Sequence, residues 1–181
     1  IRNTSNSQTV LFRGQGNNYL SGGSLAIGHT SPARTLHVNS SGTNVTARFE
    51  STDSIAAIEL KDPNGSAEIG NVGNDLALFP AGVEKARLTS AGTVLVGKTA
   101  EGTATDGIEL NRQDVIVATR NGDSPLILNR RTSDGDIAVF RKDNSVVGSI
   151  AASGGDILIG TGDTAVRFVD AEDCIVPFNT D

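Results

Sequence analysis

Residues 56–65 read Ala56-Ala57-Ile58-Glu59-Leu60-Lys61-Asp62-Pro63-Asn64-Gly65. Ala56, Ile58 and Leu60 alternate with Ala57, Glu59 and Lys61, a period of two that puts apolar side chains on one face of a strand. The Asp-Pro-Asn-Gly that follows is turn chemistry: Pro63 presets φ, and Asn64 or Gly65 is expected to take the left-handed position. This strand lies in the longest stretch free of Gly and Pro, residues 43–62. That stretch leaves room for at most one helical turn, at Ser54–Ala57.

The same texture runs outward in both directions. Val94-Leu95-Val96, Leu126-Ile127-Leu128 and Ile157-Leu158-Ile159 are short aliphatic bursts bounded by Gly, Asp or Pro, as brief strands between tight turns are. Asn121-Gly122 lies between Val115–Arg120 and Leu126–Asn129 and reads as a hairpin, because both residues tolerate positive φ. Ser133-Asp134-Gly135-Asp136, Lys142-Asp143-Asn144 and Ser153-Gly154-Gly155-Asp156 continue the series of turns. Very little helix is expected.

The chain repeats itself. Asp53, Ala57, Lys61, Asp62, Ile69, Gly73 and Asp75 recur as Asp134, Ala138, Lys142, Asp143, Ile150, Gly154 and Asp156, at a constant offset of 81 residues. Leu76 and Leu78 map onto Ile157 and Ile159 in the same way. Ala86-Arg87-Leu88 matches Val166-Arg167-Phe168 after a slip of one residue. A second echo links Leu25-Ala26-Ile27-Gly28-His29-Thr30 with Val94-Leu95-Val96-Gly97-Lys98-Thr99. The expected organisation is an N-terminal connecting segment (1–23), a first β-repeat unit (24–100) and a second (101–181). Units that repeat in this way stack in one dimension into a rod. The chain begins at Ile1 and contains no Met, which reads as a segment of a longer polypeptide.

Composition bears on how such a rod holds together. Aromatics make up only 4% of the 181 residues, Trp is absent and Gly reaches 21. Large rings normally anchor a compact core, burying about 150–250 Å² each. Here each short strand carries two or three aliphatic side chains and leaves edges exposed. Association of copies around a threefold axis covers those edges together. The fold class expected is therefore all-β: an elongated repetitive β-structure, β-prism or triple-β-helix-like, in an interdigitated homotrimer. Ile27, Val94, Val96, Ile150, Ile157 and Ile159 are the candidates to face the axis.

Several chemistries can be weighed against the residues. The net charge of −6, with Arg and Lys scattered, lacks the basic footprint that nucleic acid requires. No apolar run approaches the ~18 residues of a membrane span, so no membrane insertion is expected. Cys174 is the single cysteine and reads as a small, partly buried apolar residue. His29 and His37 are the only histidines, and a metal site needs convergent ligands. Gly160-Thr161-Gly162-Asp163-Thr164-Ala165 fits G-x-G-x-x-A, but Val166-Arg167-Phe168 continues as strand where a dinucleotide site needs a helix. Gly154-Gly155-Asp156 and Gly162-Asp163 resemble one imperfect calcium β-roll repeat, and such ions are shared between tandem copies. Glu50, Glu59, Glu68, Glu84 and Glu109 are the acids from which a glycosidase pair could be drawn. They alternate with apolar residues or flank turns, as solvated strand faces do. No catalytic, cofactor-binding or metal-ligating residue is assigned, and no cofactor is expected.

A family resemblance joins these features. Leu25-Ala26-Ile27-Gly28-His29-Thr30-Ser31-Pro32 followed by Leu36-His37-Val38, and Ala86-Arg87-Leu88-Thr89-Ser90-Ala91-Gly92-Thr93-Val94-Leu95-Val96-Gly97-Lys98-Thr99, resemble elements common in bacteriophage tail fibres and tailspikes. Gly107-Ile108-Glu109-Leu110, Leu126-Ile127-Leu128-Asn129-Arg130 and Phe140-Arg141-Lys142-Asp143 resemble the stretch that precedes the C-terminal intramolecular chaperone of many such fibres. The likeness covers about Ser24 to Phe178. It implies a trimeric structural and host-attachment segment, extracellular on the virion tail. The implied partners are two identical chains, other tail or baseplate proteins, and a host surface polysaccharide or lipopolysaccharide. Its alternatives are a polysaccharide-degrading tailspike module and a bacterial surface adhesin repeat. The self-cleaving chaperone and its catalytic serine have no counterpart in these residues.

Overall fold

The computed structural model describes residues 24–28, 30–40, 42 and 44–179. The expected connecting segment 1–23 and His29 therefore lie outside the described residues. The chain is all-β. Among the described residues the only helical element is a single 3-10 turn, Asp170–Glu172.

Strands β1 (Leu25–Ile27) and β2 (Leu36–Val38) form a small parallel pair. A seven-stranded antiparallel meander follows in chain order: β3 (Ile55–Asp62), β4 (Gly65–Val72), β5 (Asp75–Pro80), β6 (Ala86–Leu88), β7 (Val94–Val96), β8 (Gly107–Leu110) and β9 (Ile116–Thr119). A five-stranded meander completes the chain: β10 (Gly135–Lys142), β11 (Ser145–Ser153), β12 (Asp156–Thr161), β13 (Thr164–Val169) and β14 (Cys174–Asn179). Both are open sheets, with edges at β3 and β9 and at β10 and β14. Every strand pairs with its neighbour in sequence, which is what dense turn chemistry between short aliphatic runs encodes.

The 81-residue repeat takes structural form. β3, β4 and β5 occupy the same places in the first sheet that β10, β11 and β12 occupy in the second. The first sheet runs on through β8 and β9, so it crosses the 100/101 boundary drawn from the sequence. The shorter echo also has a structural counterpart. β1 and β7 each end at a glycine with positive φ, Gly28 (82°) and Gly97 (75°). The pairing differs, because β1 is parallel to β2 whereas β7 lies antiparallel between β6 and β8.

Three local expectations need correction. Ser54–Ala57 forms no helical turn, because β3 begins at Ile55 and its alternation prevails. The Asp62–Gly65 turn closes β3 onto β4 as expected, with Asp62 opposite Gly65, but neither Asn64 nor Gly65 has positive φ. Asp62 Oδ1 accepts the N–H groups of Asn64 at 2.8 Å and Gly65 at 3.0 Å, so a side chain holds the turn. Its repeat counterpart, between Lys142 and Ser145, uses positive φ at both Asp143 (50°) and Asn144 (66°). Pro63 forbids that solution in the first unit, since its ring fixes a negative φ.

The third correction concerns Asn121-Gly122. No hairpin forms there: β9 ends at Thr119, and Leu126–Asn129 is not a strand. Gly122 has φ of 75°, but Asn121 stays out of the positive region. The two-residue turn that needs both in that region is therefore not made.

Little of the chain is core. Among the described residues the buried hydrophobic side chains are Ala77, Phe79, Leu95 and Leu158. The chain exposes 14401 Å², against about 8,300 Å² expected for a compact monomer of 18.7 kDa. The two large sheets do not stack on each other; all substantial contacts between elements join strands adjacent in a sheet.

Candidate interaction face and the polar latches behind it

Residues paired across an antiparallel ladder point to the same side of the sheet. In the first sheet the register therefore builds two apolar rows on one face. Ile58, Ile69, Leu78, Ala86, Val96 and Ile108 form one row. Leu76, Leu88, Val94, Leu110 and Ile116 form the next. The second sheet repeats the design with Ile150, Ile159, Val166 and Pro177 in one row, and Ala152, Ile157, Phe168 and Ile175 beside it. These faces stay open: Leu78 is 43% exposed, Val96 45%, Ile108 47% and Ile159 47%. Contiguous apolar rows of this kind make the face a candidate interaction site.

Five of the six residues expected to face an axis lie on these rows: Val94 and Val96 in the first sheet, and Ile150, Ile157 and Ile159 in the second. Ile27 sits apart, in β1, and is 51% exposed.

The opposite face is mixed: the buried Ala77, Phe79 and Leu95 lie there beside charged residues, two groups of which are paired. Arg87 Nη1 lies 3.0 Å from Asp75 Oδ2, while its Nε and Nη2 each donate at 2.7 Å to the Glu84 carboxylate. Asp75 Oδ1 accepts the Ser90 N–H at 2.8 Å. That backbone bond, helped by Arg87, holds the Asp75 carboxyl below its ordinary range despite some desolvation. Glu84 and Asp75 in turn push Arg87 further toward its charged form. The second unit rebuilds the arrangement. Arg167 donates to Asp156 Oδ2 from Nε at 2.9 Å, and Asp156 Oδ1 accepts the Asp170 N–H at 3.2 Å. In place of an acid like Glu84, Arg167 lies over the Phe178 ring, 5.7 Å from its centroid, a cation–π contact.

A second cluster occurs in the first sheet. Lys98 and Glu109 are buried and their charged atoms are 3.3 Å apart. Glu109 Oε2 also accepts the Gly102 N–H at 2.8 Å, and Oε1 accepts Asn111 Nδ2 at 2.6 Å. Lys98 Nζ closes the circuit by donating to the Gly102 carbonyl. The Gly102 bond, then the Asn111 and Lys98 contacts, keep the Glu109 carboxyl below its ordinary value against the opposing effect of burial. The contacts among Lys98, Gly102 and Glu109 tie the 98–106 connection onto the sheet, where Glu109 lies opposite the buried Leu95. The pair's polar atoms are occupied by structural bonds.

The acids considered from sequence are dispersed by the fold. Glu84 and Glu109 are consumed by Arg87 and by Lys98. Glu50 makes an exposed contact with Arg48 at 4.0 Å. Glu59 and Glu68 are brought together as direct cross-strand partners. They stand on an open strand surface, and Phe79, next in register to Glu68, is buried and presents no free ring for a sugar to stack on. His37, in the middle of β2, accepts the Ala33 N–H on Nδ1 at 3.1 Å from the connection that precedes the strand. Gly160 lies within β12 and Gly162 in the turn to β13, so the glycine pattern there is followed by a strand. Cys174 is half-buried at the start of β14.

Sequence reasoning missed both polar clusters. A signal for the first was present, since Asp75 and Arg87 each have a charge-identical counterpart in the repeat. The Lys98–Glu109 pair has no such echo, because Asn179 falls at the position equivalent to Lys98. No protein-family model matches the chain, and no curated protein or solved structure is significantly similar to it.

Proposed function

We propose that this chain is a structural and host-attachment segment of a bacteriophage tail fibre or tailspike. Three copies bury their apolar sheet faces against one another in a β-prism or triple-β-helix-like shaft on the virion. The observation that carries this reading is the open apolar face, built twice by an 81-residue repeat with little core behind it. A sheet exposing rows of Leu, Ile and Val loses about 25 cal/mol for each Å² of apolar surface left in water. Permanent assemblies bury about 2,000–5,000 Å², a range that rows on two sheets of each copy can supply. The turns between strands then lie outward, where tail or baseplate proteins and a host polysaccharide or lipopolysaccharide meet the shaft. In this reading the segment carries no catalysis.

Sedimentation equilibrium tests the assembly. The expected mass is three times the 18.7 kDa of one chain, and a compact monomer would sink the reading. Binding of the assembled protein to host cells, lost when surface polysaccharide is stripped, tests the attachment role.

A further inference from the structure

Leu126-Ile127-Leu128 is a strand-like sequence with no strand partner in its own chain. Its three side chains are 66%, 78% and 50% exposed, and residues 120–134 contain no strand. Both flanks, by contrast, are fastened. Before it, Arg120 pairs with Asp123 at 2.7 Å, and the Asn121 N–H donates to Asp106 Oδ1 at 3.0 Å. Ser124 and Pro125 then line an open hollow together with Gly97, Ile108, Ala118 and Thr119, and make no strand pairing there. After it, Arg130 is held by the Ser133 carbonyl at 2.9 Å and the Asp136 carbonyl at 3.3 Å.

β9 is also incomplete. It is the last strand of its sheet and pairs only with β8. Its outer backbone groups form an unprotected edge, and its first residue, Ile116, is 75% exposed. The sequence thus encodes both halves of a hairpin, Ile116–Thr119 and Leu126–Asn129. The fold steers them apart and leaves each unpaired. Identical copies can restore such a pairing between chains at low cost.

We propose that Leu126–Asn129 of one copy adds as a strand to the free β9 edge of a second copy, an exchanged hairpin. The occupant of each edge is fixed by complementarity: the four-residue edge Ile116–Thr119 meets the four-residue segment Leu126–Asn129, which carries three aliphatic side chains and, laid antiparallel end to end, sets Ala118 opposite Ile127. Each copy gives a segment and receives one, so the contact is head-to-tail and closes into a ring when the rotation allows. The inference rests on the association proposed above and specifies one contact within it.

Cross-linking tests it. In a Cys174→Ser background, an Ala118→Cys chain is co-expressed with a tagged Ile127→Cys chain and mildly oxidised. The expected result is tagged-to-untagged disulfide at about tenfold the level seen when Asp163→Cys, on an exposed turn, replaces Ile127→Cys. An oligomer of the expected mass without that excess overturns the exchange and leaves the assembly standing. A monomer overturns both. A bond within one chain, formed by the double variant at monomer mass, overturns the exchange in favour of an ordinary hairpin. Amide hydrogen exchange on the unmodified assembly gives an independent readout: slow exchange across 126–129 supports the pairing, and exchange at the rate of a free chain overturns it.

Discussion

Asp75 and Arg87 meet at 3.0 Å across β5 and β6, and 81 residues further on Asp156 meets Arg167 at 2.8 Å across β12 and β13. In both units the second carboxylate oxygen takes the N–H of the residue three places after the arginine, Ser90 or Asp170. One aspartate thus pins a strand and the turn leaving it. This latch holds one side of each sheet, and the apolar rows on the other side stay exposed.

Arg87 engages two carboxylates through three nitrogens, a fork that lysine cannot reproduce. Arg87→Lys is expected to lower the thermal midpoint by about 5 °C. Arg167→Lys should cost less, because Arg167 has one carboxylate and a ring in place of two carboxylates. Differential scanning calorimetry on both variants checks the ranking, and equal shifts would contradict it.

Lys98→Met leaves the Glu109 carboxylate buried without its cation. The expected drop in midpoint is about 5–10 °C. The double variant Lys98→Met/Glu109→Leu removes the stranded charge and should recover at least half of that loss. A double variant no better than the single would show that the pair's value lies in its bonds to Gly102 and Asn111.

Acid should weaken the fold through two carboxyls in particular. Asp75 and Glu109 titrate below their ordinary values of 3.8 and 4.5 when folded. As the pH falls through those ordinary values the unfolded chain takes up protons first. Stability then declines, and the loss is complete only below the lowered folded values. Above about pH 5 the contribution is full. Asp75→Asn and Glu109→Gln should each flatten the fall in denaturation midpoint between about pH 5 and 3. Unchanged slopes in both would refute the assignment.

A charge on the apolar rows should dissolve the assembly while sparing the sheet. Val96→Lys and Ile159→Lys place an ammonium where copies are proposed to meet, and an unpaired buried charge is costly. The dissociation constant is expected to rise by about 100-fold or more, read by light scattering across a dilution series. Circular dichroism at high protein concentration should keep its strand signal.

Much of this protein is local, and that part was legible. The alternation at Ala56–Lys61, the aliphatic bursts at 94–96 and 157–159, and the turn residues between them predict strands that the fold contains, because a two-residue period and turn preferences act over a few bonds. The repeat offset could be read for the same reason, since it compares residues and needs no geometry. Tertiary structure decided what depends on register. It chose which side of each strand joins a continuous apolar row, and it matched Asp75 with Arg87 and Lys98 with Glu109 across separations of 12 and 11 residues. It also overruled Asn121-Gly122. The bond from Asn121 to Asp106, fifteen residues back, ties the chain to the residue before β8 in place of a tight turn, and Leu126–Leu128 is left exposed with no partner strand in its own chain.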